Sequence, residues 1–189
     1  MPTRNSTRRS PSARSGDSDA GAATGTDAQR SKVYSAEQLM HRIFDRAVDY
    51  PTVDLVGSRI TLPVERKFAS LESVQAYVDA VLSLGWVLER WPRAVAPVAV
   101  RERAGAGSAH YERSGSVIAV PGTSHGDRWA LRELVVLHEI AHHLEPDDTS
   151  PHHGPGYVGR LLDLVDGVIG PEAALLLRVT FAENGVRMS

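Results

Sequence analysis

The chain has 189 residues, of which 42% are apolar, and a formal net charge of −2. That length suits one domain with a core of its own, and the near-neutral balance excludes the bulk electrostatics of a nucleic-acid or membrane-surface protein. No cysteine is present, which excludes disulfides, thiolate zinc sites and a Cys nucleophile and fits a reducing compartment.

Residues 1–31 are Ser, Thr, Arg, Gly, Ala and Asp with almost no large apolar side chain. Such a stretch cannot bury enough surface to offset its ordering entropy, so a disordered tail is expected there, followed by a single domain over 32–189. Arg4, Arg8, Arg9 and Arg14 are diluted by Asp17, Asp19 and Asp27; a solvated tail is a better reading than a nucleic-acid arm. No apolar run approaches the roughly 18 residues of a membrane span, and the apolar core of a signal peptide is missing from the first residues. The expectation is a cytoplasmic protein that does not enter membranes.

Ser35 with Gln38 makes a capping-box pattern. Leu39, Ile43, Phe44 and Ala47 follow at helical spacing, so a helix is predicted over 36–48, stopped by Pro51. Val53–Leu62 is β-branched with a Gly-Ser break and reads as a strand or hairpin. Ser70 caps a helix over 71–84 whose Val74, Tyr77, Val78, Val81 and Leu82 form one apolar face, with Gly85 as its C′ residue. Pro97–Arg103, Ala109–Glu112 and Ser116–Val120 read as three short strands. Gly105–Ser108 is a turn, and Pro121–Gly126 a loop. Ser124 or Asp127 can cap the next helix.

That helix, Leu131–Leu144, holds His138-Glu139-Ile-Ala-His142. Residues four apart lie one turn apart on one face, so both imidazoles can aim at one point. Apolar residues on nearly every side predict burial. Two His and a Glu buried there carry a heavy desolvation cost unless something binds them. His-Glu-x-x-His on a helix is the zinc-binding pattern of metallopeptidases, in which the Glu serves as general base. A zinc ion is therefore the expected cofactor, with Glu139 the expected catalytic base.

Catalytic zinc takes three protein ligands and keeps one position open. Six residues past His142 stands Asp148, so the three-His spacing of metzincins is absent. His153, brought by a Pro-bounded loop to the start of a helix over 158–165 with Pro155 in its first turn, is the preferred third ligand. His152 is the runner-up, and Asp163 and Asp166 are the carboxylate options. A last helix spans 172–182 and ends at Gly185. Tyr157 either donates to an oxyanion or packs under the ligand loop, and packing is favoured. His143 is off the binding face and reads as a partly exposed or supporting residue. His110 and His125 read as structural, and Trp86, Trp91 and Trp129 as anchors. Glu133 and Asp127 are candidates to orient ligand imidazoles.

His-Glu-x-x-His followed by His153-Gly-x-x-Tyr157 resembles the SprT-like and related minimal zincins. Trp129–Glu139, His153–Tyr157 and Gly170–Val179 also resemble a family of small actinobacterial metallohydrolases of unestablished substrate. The resemblance covers residues 33–186, strongly only after the first hairpin. It implies an α+β, minimal zincin-like fold: a small, mostly antiparallel sheet packed against the motif helix and further helices, with the His of His-Gly completing the site. It implies hydrolysis of an amide bond in a peptide or protein, with Ser116–Val120 as the sheet edge beside the cleft. Without cysteines the zinc ribbon and DNA-linked role of SprT-like proteins are not implied. The rival reading is a non-catalytic, zinc-stabilised binding module, and a third is a non-peptidase amidohydrolase.

Overall fold

The computed structural model describes residues 27–103, 108–121, 131–147 and 150–189. Its architecture is α+β. In chain order come α1 (Arg30–Ala47), a hairpin of β1 (Thr52–Leu55) and β2 (Ser58–Thr61), α2 (Leu71–Leu82), α3 (Gly85–Arg90) and a 3-10 turn at Pro92–Val95. Then follow β3 (Ala99–Arg103), β4 (His110–Glu112), β5 (Val117–Pro121), α4 (Glu133–His143), α5 (Pro155–Val168) and α6 (Pro171–Glu183). Helix α4 is the centre: it lies against β4 on one side, α5 on another and α2 on a third. Helix α6 joins α5 to α1. Every residue of α4 from Glu133 to Ala141 is buried, as its unbroken apolar run requires.

Several expected boundaries move. Helix α1 begins at Arg30 rather than at 36, and Ser35 is an exposed interior residue. Val33 is fully buried and anchors the added turn. Residues 27–31 therefore belong to the folded body, not to the tail; the rest of the expected tail lies outside the described residues. Ser70 caps α2 in a capping box with Ser73, but Gly85 opens α3, and Ser83 ends α2. The hairpin turns through Val56 and Gly57, both at positive φ (48° and 77°), as a two-residue turn between twisted strands needs.

The three-stranded sheet has the order β3-β5-β4. Strand β5 pairs parallel with β3 and antiparallel with β4, so the sheet is mixed; with the hairpin, two ladders are antiparallel and one is parallel. The expectation that Ser116–Val120 forms the edge is wrong. Its residues Ile118, Ala119 and Val120 are wholly buried, which suits a central strand covered on both faces. The edge beside α4 is β4.

The expected caps Ser124 and Asp127 lie outside the described residues. Arg132 holds the N-cap position in extended conformation with no side-chain cap. Glu65 replaces it: its carboxylate accepts the Leu134 N–H at 3.3 Å and also pairs with Arg132. Glu133 accepts the Arg66 backbone N–H at 3.0 Å and the Tyr77 hydroxyl at 2.8 Å. The segment 65–68 is thus fastened along the start of the motif helix, with an antiparallel bridge from Lys67 to Arg132.

Candidate metal centre

His138 and His142 stand one turn apart on α4, and their Nε2 atoms are 3.2 Å apart. His153 arrives from the turn before α5. Gly154 permits that turn: its N–H donates to the Pro151 carbonyl at 2.8 Å, and a Cβ there would sit 3.1 Å from that oxygen. The His153 Nε2 then lies 3.4 Å from the His138 Nε2. The ligand atoms of all three residues fall within 4.8 Å of one another.

The far side of two rings explains why they face inward. The His138 Nδ1 is 2.7 Å from the Glu37 carboxylate, and the His153 Nδ1 is 2.6 Å from the Asp27 carboxylate. A carboxylate only accepts, so each Nδ1 must carry the hydrogen. In the neutral imidazoles this leaves a lone pair on each Nε2, and these lone pairs point at one another. Lone pairs at such separations repel, so a proton or a metal cation belongs between them. Four nitrogens placed tetrahedrally at zinc's usual 2.0–2.1 Å would be spaced by about 3.3–3.4 Å, and the spacings of His138 to His142 and to His153, 3.2 and 3.4 Å, fit. The residues present therefore suit a zinc ion.

Burial, then the charges of His138 and His153, hold His142 well below the usual imidazole range. Burial and His138 also lower His153, against the pull of Asp27. For His138 burial works downward, but Glu37 and Glu139 outweigh it and the ring ends above its ordinary value. Of the three rings, His138 alone is shifted toward the protonated form.

Glu139 is 3% exposed and lies where two cavities meet. Burial and the Glu37 charge push its carboxyl up to about 7, while His138 and the Tyr111 backbone N–H pull down. One cavity is a cleft of about 210 Å³ reached by Arg30, His110, Arg113, His142, His152 and His153. The other, about 400 Å³, runs between α1 and α4 past His41, Leu134 and Val135. Tyr34 borders both, its ring 5.2 Å from that of His138 and 5.4 Å from that of His153. Burial and the Glu139 charge keep its hydroxyl protonated.

His152 is exposed, with its ring 6.2 Å from that of His142, and stands outside the three-His group. Asp163 pairs with Arg90, and Asp166 is exposed. Tyr157 is 1% exposed, stacks on His142 at 4.4 Å and meets the other two rings edge-on, bordering neither cavity. It packs beneath the imidazoles. His143 is fully buried, not partly exposed: its Nε2 donates to the Arg93 carbonyl and its Nδ1 accepts the Tyr111 hydroxyl. His110 bonds Glu112. Trp91 is buried, and Trp86 meets it edge to face. Glu133 orients no imidazole, since its carboxylate is taken by Arg66 and Tyr77. Asp127, His125 and Trp129 lie outside the described residues.

Sequence reasoning missed Asp27, Tyr34 and Glu37. The one available signal was periodicity. Tyr34, Glu37, Gln38 and His41 share an i, i+3, i+4, i+7 stripe on α1, and polar groups on such a stripe mark a face turned toward other polar groups. No family model, no curated protein and no solved structure matches the chain, so the site is read from its own geometry.

Proposed function

We propose that the protein is a zinc-dependent metallohydrolase, and within that class a metallopeptidase acting on peptide or protein amide bonds. The observation that carries the reading is the inward-facing trio of His138, His142 and His153 beside an uncommitted Glu139. Structural zinc sites are closed by four protein ligands, whereas catalytic ones use three and leave a position open. Among the described residues, three are brought together, and a cleft reaches His142, His153 and Glu139. That disfavours the binding-module alternative. Zinc held there supplies a Lewis acid that activates water and polarises a carbonyl.

The chain's own residues supply the rest. Glu139 takes a proton from the attacking water and hands it to the departing amine nitrogen. Tyr34, at the rim with its proton retained, can donate a hydrogen bond to the oxygen on which charge develops. Among the described residues no helix is long and apolar enough to cross a membrane. This is compatible with a cytoplasmic site of action.

Elemental analysis should find about one zinc per chain, and His153→Ala should lower that content. Glu139→Gln should keep the zinc and lose at least about a hundredfold in turnover of a peptide library, within the range for a lost general base. A Glu139→Gln protein as active as the wild type would refute the mechanism. Zinc bound without turnover of any peptide or simple amide would favour the binding module.

A further inference from the structure

The third imidazole is not held by its own loop alone. Its backbone is clasped by a residue before α1, and that residue is clasped in turn by the end of the chain. The Gln29 side chain is 4% exposed. Its amide nitrogen donates to the His153 carbonyl at 2.7 Å and to the Arg187 carbonyl at 3.1 Å. Its amide oxygen accepts the Arg187 N–H at 3.0 Å. Every polar atom of this buried amide is thereby used, and three stretches far apart in sequence meet on it.

The C-terminal segment is aimed at this point by the end of α6. Gly185 takes a positive φ of 66°. The Gly185 N–H reaches the Ala182 carbonyl and the Val186 N–H reaches Phe181, the paired bonds of a Schellman turn. Val186 is buried, and Lys32 of α1 donates to the Gly185 carbonyl at 3.1 Å. Chain direction after α6 is therefore fixed before Arg187 meets Gln29. Two residues upstream, Asp27 accepts both the His153 ring N–H and, at 3.3 Å, its backbone N–H.

We propose that Gln29 is a positioning residue for the metal centre, coupling the chain's C-terminal segment to zinc affinity by holding the His153 backbone. This rests on the metal reading given above. Supporting groups of this kind change metal affinity by roughly 10–100-fold when removed, so the effect is measurable without any substrate.

The test is a zinc dissociation constant from chelator competition on full-length variants, with cobalt(II) absorption as a second readout. Gln29→Leu keeps the volume and removes the bonds; Arg187→Pro removes the N–H that Gln29 accepts, together with an exposed side chain, and is compared with Arg187→Ala, which keeps the N–H. Gln29→Leu and Arg187→Pro should each weaken zinc binding by about tenfold, the double variant should be no weaker than the worse single one, and the cobalt bands should lose intensity as the third nitrogen loosens. Tyr77→Phe, which loosens α4 elsewhere, should lower the melting temperature and leave both readouts unchanged. If Gln29→Leu fails to fold, Gln29→Met, whose unbranched side chain also makes none of these bonds, replaces it. A zinc constant within twofold of wild type for the Gln29 variant overturns the proposal, and one unchanged by Arg187→Pro overturns the C-terminal coupling. A wild-type chain that holds no zinc or cobalt overturns this proposal and the metal reading together, whereas intact wild-type binding with insensitive variants overturns this one alone.

Discussion

At the residue scale the site is made by hydrogen atoms put in the right places. Glu37 and Asp27 occupy the Nδ1 positions of His138 and His153 and thereby leave each Nε2 free for a metal. Glu37 is 6% exposed and its ring partner 3%, so this pair sits in a poorly hydrated setting where a charge-assisted bond is strong. Glu37→Gln should weaken zinc binding by roughly 10–100-fold, because a neutral amide both withdraws the charge and can present its N–H₂ to the ring. The same titration that follows Gln29 reads this out, and unchanged affinity would mean that packing alone orients His138. His138, Glu139 and His142 were legible in the sequence because one-turn spacing on a helix is local information. The ring partners were not, because Glu37 and Asp27 stand 101 and 126 residues from the imidazoles they hold. Nothing in a carboxylate's own neighbourhood announces a contact so distant, and Glu133, only five positions before His138, was the more natural guess.

At the element scale α4 is a helix without a cap of its own, and the fold corrects that from outside. Glu65, 6% exposed, pairs with the 5% exposed Arg132 and takes a backbone N–H of the first turn. Glu65→Ala would leave a buried guanidinium short of its partner, which costs about 3–5 kcal/mol, while Asp45 at the rim, 2.9 Å from Arg132, limits the loss. Urea unfolding should show a drop of this order with little change in slope. Helix α5 offers a steric counterpart. A Cβ on Gly167 would lie 2.5 Å from the Trp86 ring, so the half-buried indole, edge to face with Trp91, would have to shift. Gly167→Ala should therefore cost about 1–3 kcal/mol despite alanine's better helix propensity. Helices α2, α5 and α6 were legible because their apolar stripes and Ser, Pro or Gly boundaries agree. The start of α1 and the strand order were not. Hydrophobic Val117–Val120 is equally compatible with an edge or a centre, and only the pairing with β3 and β4 decides.

At the scale of the whole molecule, buried imidazoles make stability depend on pH. Burial, the largest cause, lowers His143 from 6.5 to about 4. Burial and Arg132 do the same to His41. Between these values the unfolded chain binds protons that the folded chain refuses, so stability rises with pH across that window. The contribution of His143 is complete above about 6.5 and is lost as pH falls toward 4. A shift of that size is worth on the order of 3 kcal/mol. Glu139 works the other way. Its carboxyl is raised from 4.5 to about 7, so its contribution is present below 4.5 and is lost as pH climbs through 7. A divalent cation at the three imidazoles would stabilise the carboxylate and cancel this penalty. The metal-free protein, unfolded by urea in a chelator, should therefore gain stability from pH 4 to 6.5, where the lowered imidazoles outnumber Glu139, and lose some of it as pH passes 7 and Glu139 and His138 give up their protons. His143→Gln can keep both bonds of the ring, donating to the Arg93 carbonyl and accepting the Tyr111 hydroxyl, while removing its titration. Its stability should vary less steeply over that interval, by up to about 1.4 kcal/mol per pH unit, the weight of one proton. A slope equal to that of the wild type would show that His143 takes up its proton in the folded chain as readily as in the unfolded one, and would place the acid sensitivity in His41 and the metal-facing rings instead.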